Sequence, residues 1–63
     1  MQPDELRALR KSAGLTIAQM AQAIGMSVDT ISRMERGLPG YPIERRTELA
    51  VRYVAEHPEV VQP

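Results

Sequence analysis

Apolar side chains recur along this chain at the spacing of an α-helix, in four separate stretches. Leu6, Leu9 and Ala13 fall on one stripe, and Ile17, Met20, Ala21 and Ile24 follow at offsets of 0, 3, 4 and 7. Ile31 and Met34 form a third apolar pair. Ile43, Thr47, Ala50 and Val54 form a fourth stripe, flanked by Val51. The spacing predicts helices over about residues 3–13, 16–24, 27–36 and 43–56. No alternating strand pattern, internal repeat or low-complexity segment competes with them.

The residues between the stripes agree with these limits. Pro3 suits a first helical position, and Asp4 and Glu5 suit the positive end of the helix dipole. Arg10 and Lys11 suit the last turn of that helix, and Gly14 suits its left-handed close. Thr16 with Gln19 reads as a capping box, Gly25 as a stop and Ser27 as a cap. Asp29 suits the first turn of the third helix, which Gly37 ends. The second and third helices, joined by a tight glycine-containing turn, match a helix-turn-helix unit. "GLPGYP" (37–42) reads as a rigid loop, and "PEVVQP" (58–63) as an extended or frayed tail.

Composition narrows the function classes. The chain has 63 residues, enough for one small core, and is 43% hydrophobic. We therefore expect one all-α domain spanning residues 1–63, with 57–63 a short tail at a dimer interface. The capped start and proline-rich finish read as those of a complete chain. No cysteine is present to form a disulfide or ligate a metal, which suits a reducing cytoplasm. No apolar run has the length of a membrane span, and "MQPDELRALR" lacks a signal peptide's apolar segment. Two tyrosines are the whole aromatic complement, too few for stacking on single-stranded nucleic acid.

Eight basic and eight acidic residues cancel, so DNA binding requires positive charge gathered on one face or supplied twice by a dimer. His57 has no companions at metal-ligand spacing and reads as an exposed residue. Met20, Met26 and Met34 read as core filler. With no Ser/His/acid arrangement, paired carboxylates in a cleft or glycine-rich phosphate loop in view, neither enzyme activity nor a cofactor is expected.

"LRALRKSAGLTIAQMAQAIGMSVDTISRMERG" resembles the Cro and phage-repressor (Xre-like) type of helix-turn-helix domain. The resemblance rests on Arg10, Gly14, Leu15, Thr16, Met20, Ala21, Gly25, Ser27, Ile31, Glu35 and Gly37, and covers about half the chain closely. It implies a compact four- to five-helix domain that docks as a dimer on a palindromic operator, the third helix lying in the major groove. It also implies an ion pair, Arg10 with Glu35, that fixes the angle of the recognition helix. The sequence departs from the family at Ile17, where glutamine often grips phosphate, and at Val28, where a polar residue is common.

Ser27, Val28, Asp29, Ser32 and Arg33 become the candidate base readers. Arg33 can donate two hydrogen bonds to guanine, Asp29 can accept from the amino group of cytosine, and Val28 can touch a thymine methyl. The alternative for Asp29 and Arg33 is a surface ion pair indifferent to DNA. Thr16, Arg36, Lys11 and Arg10 are candidate phosphate contacts. For Thr16 the alternative is simple capping, for Arg36 solvation, and for Lys11 service to its own helix end. Leu49, Tyr53, Val60 and Val61 are candidates for a dimer interface, unless the loop "LPGYP" folds back over Leu49.

These residues point to a cytoplasmic phage or bacterial transcription regulator, a homodimeric repressor or autorepressor of a short operon that reads a double-stranded palindromic operator. The rival readings are an antitoxin or adaptor that uses the last helix to bind a partner protein, and a DNA-binding fragment of a larger recombinase or modifying enzyme.

Overall fold

Local hydrogen bonds at the chain's caps set the limits of the helices. In the computed structural model, which describes residues 1–61, α1 spans Pro3–Ser12, α2 Ile17–Ile24, α3 Val28–Glu35 and α4 Arg45–Glu56. A 3-10 turn, Pro58–Val60, follows in place of the expected extended or frayed tail, closed by the N–H of Val61 donating to the carbonyl of Pro58 at 3.1 Å, and no strand occurs among the described residues. The N–H of Gln2 donates to Glu5 Oε1 at 3.0 Å at the start of α1. At the start of α2, Thr16 Oγ1 accepts from the N–H of Gln19 at 3.1 Å. The N–H of Thr16 donates in return to Gln19 Oε1 at 2.9 Å, completing the capping box. Ser27 Oγ accepts from the N–H of Thr30 at 3.1 Å and so caps α3.

The fourth helix differs from expectation in two respects. It begins at Arg45 rather than Ile43, because Glu44 is extended (ψ 161°) and serves as the N-cap. Ile43 still packs on the core, but from the loop. The helix also faces inward with Thr47, Val51 and Val54, and leaves Ala50 only half-buried. Turning the larger Val51 inward removes more apolar surface from water than turning Ala50 inward would.

Leu6, Leu15, Met20, Ala21, Ile31, Met34, Val51 and Val54 form one core at the meeting of all four helices. Leu6, Met20, Ile31 and Val51 are the largest fully buried side chains. Each contributes about 1.5–3 kcal/mol through burial, a large share in a domain whose total stability is of order 3–9 kcal/mol. Such a core holds α2 and α3 in fixed relation to α1 and α4. Leu49 and Tyr53, on the side of α4 away from this core, remain 53% and 57% exposed. The loop therefore does not cover Leu49.

Candidate nucleic-acid interface

The turn between α2 and α3 needs a residue with positive φ, and Gly25 supplies it at 73°. The following N–H, that of Met26, donates to the carbonyl of Ala21 at 2.9 Å and closes α2. The chain then enters α3 at its Ser27 cap. Ile31, Met34 and Glu35 are buried, which turns Val28, Asp29 and Arg36 to the exposed side, with Ser32 and Arg33 half-buried beside them.

Asp29 and Arg33 form an ion pair one helical turn apart. Arg33 Nε donates to Asp29 Oδ2 at 2.7 Å. That hydrogen bond, reinforced by the carboxylate's charge, raises the guanidinium pKa above its ordinary value. Its Cζ lies 5.3 Å from the centroid of the Tyr41 ring, in cation–π range. Nη1 and Nη2 have no hydrogen-bond partner among the described residues and retain the two-pronged donor edge that fits guanine N7 and O6. An ion pair and a base reader are thus compatible in one geometry, because the pair uses only Nε.

Other members of the face are engaged to different degrees. Ser27 Oγ lies 2.7 Å from Thr30 Oγ1 in addition to its capping bond, so its hydroxyl is held by the helix it starts. Arg36, the C-cap, reaches only the carbonyl of Ser32, at 3.4 Å, and remains exposed. Thr16 and Lys11 are exposed too, Thr16 with its hydroxyl in the capping box. Ile17 packs against the core and forms wall rather than surface.

Behind this face lies a second arginine system. Arg10 Nε donates to Glu35 Oε2 at 2.7 Å and Arg10 Nη2 to Glu35 Oε1 at 3.0 Å. Arg10 Nη1 donates to the carbonyl of Leu15 at 2.9 Å. Both side chains are nearly buried, and the bond to Glu35 raises the Arg10 pKa despite the desolvation that opposes it. All three guanidinium nitrogens are therefore turned to protein, and Arg10 sits behind the exposed face rather than on it. Arg7 adds a contact that the helical stripe did not disclose: its Nη2 donates to the backbone carbonyl of Glu35 at 3.2 Å. Its position one turn before Arg10, on the same side of α1, was the available signal.

A family model described as a helix-turn-helix domain matches residues 4–62. The chain belongs to the helix-turn-helix family, of the Cro and phage-repressor type. No curated protein and no solved structure matches it. As a helix-turn-helix protein it binds DNA and acts in transcription regulation, not catalysis. No helix among the described residues is long and apolar enough to cross a membrane. No group of three or more histidine, aspartate or glutamate side chains among the described residues is placed to hold a metal ion.

Two further residues of this helix-turn-helix domain escaped the sequence pattern. Thr30 shares its hydroxyl with Ser27, and Tyr41 backs Arg33 from the loop after α3. On α4 and the segment after it, Leu49, Tyr53 and Val60 are exposed, whereas Val61 packs against the core. The Tyr53 ring rests 4.6 Å from that of His57, which is exposed. Residues 62 and 63 of the expected tail lie outside the described residues.

Proposed function

We propose that this helix-turn-helix protein is a homodimeric repressor that reads a palindromic operator with α3 in the major groove, acting as one domain over residues 1–63. One observation carries the reading: the flank of α3 opposite the core presents Asp29, Arg33 and Arg36, with the donor edge of Arg33 open. In this reading Arg33 contacts guanine, while Asp29, Val28, Ser32 and Ser27 contact neighbouring bases. Arg36, Lys11 and Thr16 contact phosphates and set the register. Arg10 serves from behind, by fixing α3 against α1.

The charge distribution supports this assignment. The net charge is zero, but Glu35, Asp29 and Glu48 are each paired with a cation. Arg36 and Lys11 have no ion-pair partner among the described residues and project charge outward. One such module still binds DNA weakly, because few phosphates are neutralised. A second copy doubles those contacts and places two recognition helices about 34 Å apart, one turn of duplex. Leu49 and Tyr53, one turn apart on the exposed side of α4, supply the mating face, together with exposed Val60.

Selection of bound sites from random duplexes tests the proposal. The expected result is an inverted repeat with half-site centres one duplex turn apart. Absence of any enriched sequence overturns it. A stoichiometric complex with an unrelated protein through α4, in place of a homodimer, favours the adaptor reading.

A further inference from the structure

We propose that Tyr41 is a positioning residue for base reading, its ring holding the Arg33 guanidinium at the angle from which Nη1 and Nη2 meet a guanine. The inference rests on the function proposed above and adds a residue outside the helix-turn-helix unit to its specificity.

One hydrogen bond, from Nε to Asp29, fixes a point on the guanidinium but not the tilt of its plane. An aromatic face 5.3 Å from Cζ restricts that tilt. It does so without occupying a donor, whereas a second carboxylate would consume donors and neutralise the charge that faces DNA. The two constraints together leave Nη1 and Nη2 both oriented and unoccupied.

Tyr41 is itself tied to the helix it serves. Gly37 closes α3 in the left-handed region at φ 68°, where other residues are strained. The N–H of Leu38 then donates to the carbonyl of Arg33 at 3.2 Å, and the N–H of Tyr41 to the carbonyl of Leu38 at 3.3 Å. Pro39 and Pro42 restrict the backbone on either side. The ring packs partly against the core. Two hydrogen bonds thus connect the backbone of Arg33 to the residue that supports its side chain.

The test compares Tyr41→Leu and Tyr41→Phe with the unaltered protein on duplexes obtained by selection and then substituted at every position of one half-site. Thermal unfolding and the salt dependence of binding are measured in parallel. Tyr41→Leu is expected to reduce the preference for guanine at a single position by about two- to fivefold, the size of an exposed cation–π contact. Preferences at other positions and the salt slope stay unchanged, and Tyr41→Phe, which keeps the ring face, retains the full preference. An undiminished preference in Tyr41→Leu overturns the inference. So does an even loss on all sequences accompanied by a fall in Tm, which assigns Tyr41 to packing alone. If the unaltered protein prefers no base anywhere, the function proposed above fails, and this inference with it.

Discussion

Arg10 and Glu35 join the first helix to the end of the third through two hydrogen bonds, of 2.7 and 3.0 Å, between a guanidinium and a carboxylate that are both nearly buried. Arg10 also closes the α1–α2 turn at the carbonyl of Leu15. One arginine thereby sets the relation of three helices.

Removing Glu35 leaves the Arg10 guanidinium nearly buried without a carboxylate, and removing Arg10 leaves Glu35 with only the longer 3.7 Å contact to Arg7 Nε. Arg10→Ala or Glu35→Ala is expected to cost about 3–5 kcal/mol, enough to unfold much of so small a domain. Replacing both with Arg10→Met and Glu35→Leu is expected to restore most of that stability, because a packed apolar pair no longer carries the desolvation cost. Chemical denaturation of the three variants checks this. A double variant as unstable as the worse single one contradicts the assignment.

Arg36 projects beyond the end of α3 with only a long bond to its own helix. Arg36→Ala is expected to weaken binding to every duplex alike and to lower the slope of log K against log salt by about one. Titrations at several salt concentrations read both quantities. A change confined to particular sequences would make Arg36 a base contact instead.

Leu49 and Tyr53 form an apolar step on the exposed side of α4, away from the core. Leu49→Glu combined with Tyr53→Glu is expected to yield a folded monomer with poor DNA affinity, since a symmetric interface meets each acidic group with its own copy. Sedimentation with circular dichroism distinguishes the outcomes. A persisting dimer places the interface elsewhere.

Glu48 accepts from the amino group of Met1 at 3.0 Å and from Arg52 Nε at 3.1 Å. The amino group's hydrogen bond first, and that of Arg52 second, hold its carboxyl pKa below the ordinary 4.5. A folded-state pKa below the unfolded one contributes stability at pH above the unfolded value, lost as pH falls through the folded value. Unfolding from neutral pH to below 4.5 should therefore show a loss of stability that Glu48→Gln reduces. An identical acid profile in Glu48→Gln would remove this contact from the account.

Much of the fold was legible in the sequence because its signals are local. Thr16 with Gln19, the Ser27 cap, and the stops at Gly25 and Gly37 act within a turn or two of chain, so residue type and spacing suffice. The features that escaped are tertiary. Val51 faces the core ahead of Ala50 because the packed volume between helices favours the larger side chain, which periodicity alone does not register. Ile43 looks helical by spacing but packs on the core from the loop after Pro42, ahead of the Glu44 cap. Tyr41 reaches Arg33 only because the loop turns back along α3 rather than over Leu49. The pairing of Met1 with Glu48 spans 47 positions and has no local signature. The outer flank of α3 was legible as a set of residues, but the division of labour within Arg33, Nε to Asp29 and the remaining donors outward, required coordinates.

The central claim is that the guanidinium of Arg33 reads a base. Its most direct test is the affinity of Arg33→Ala, against the unaltered protein, for selected duplexes carrying each base in turn at every half-site position. The expected result is a loss of discrimination of about 1–3 kcal/mol at one guanine per half-site, with preferences elsewhere intact. A variant that keeps its full pattern of preferences would contradict it.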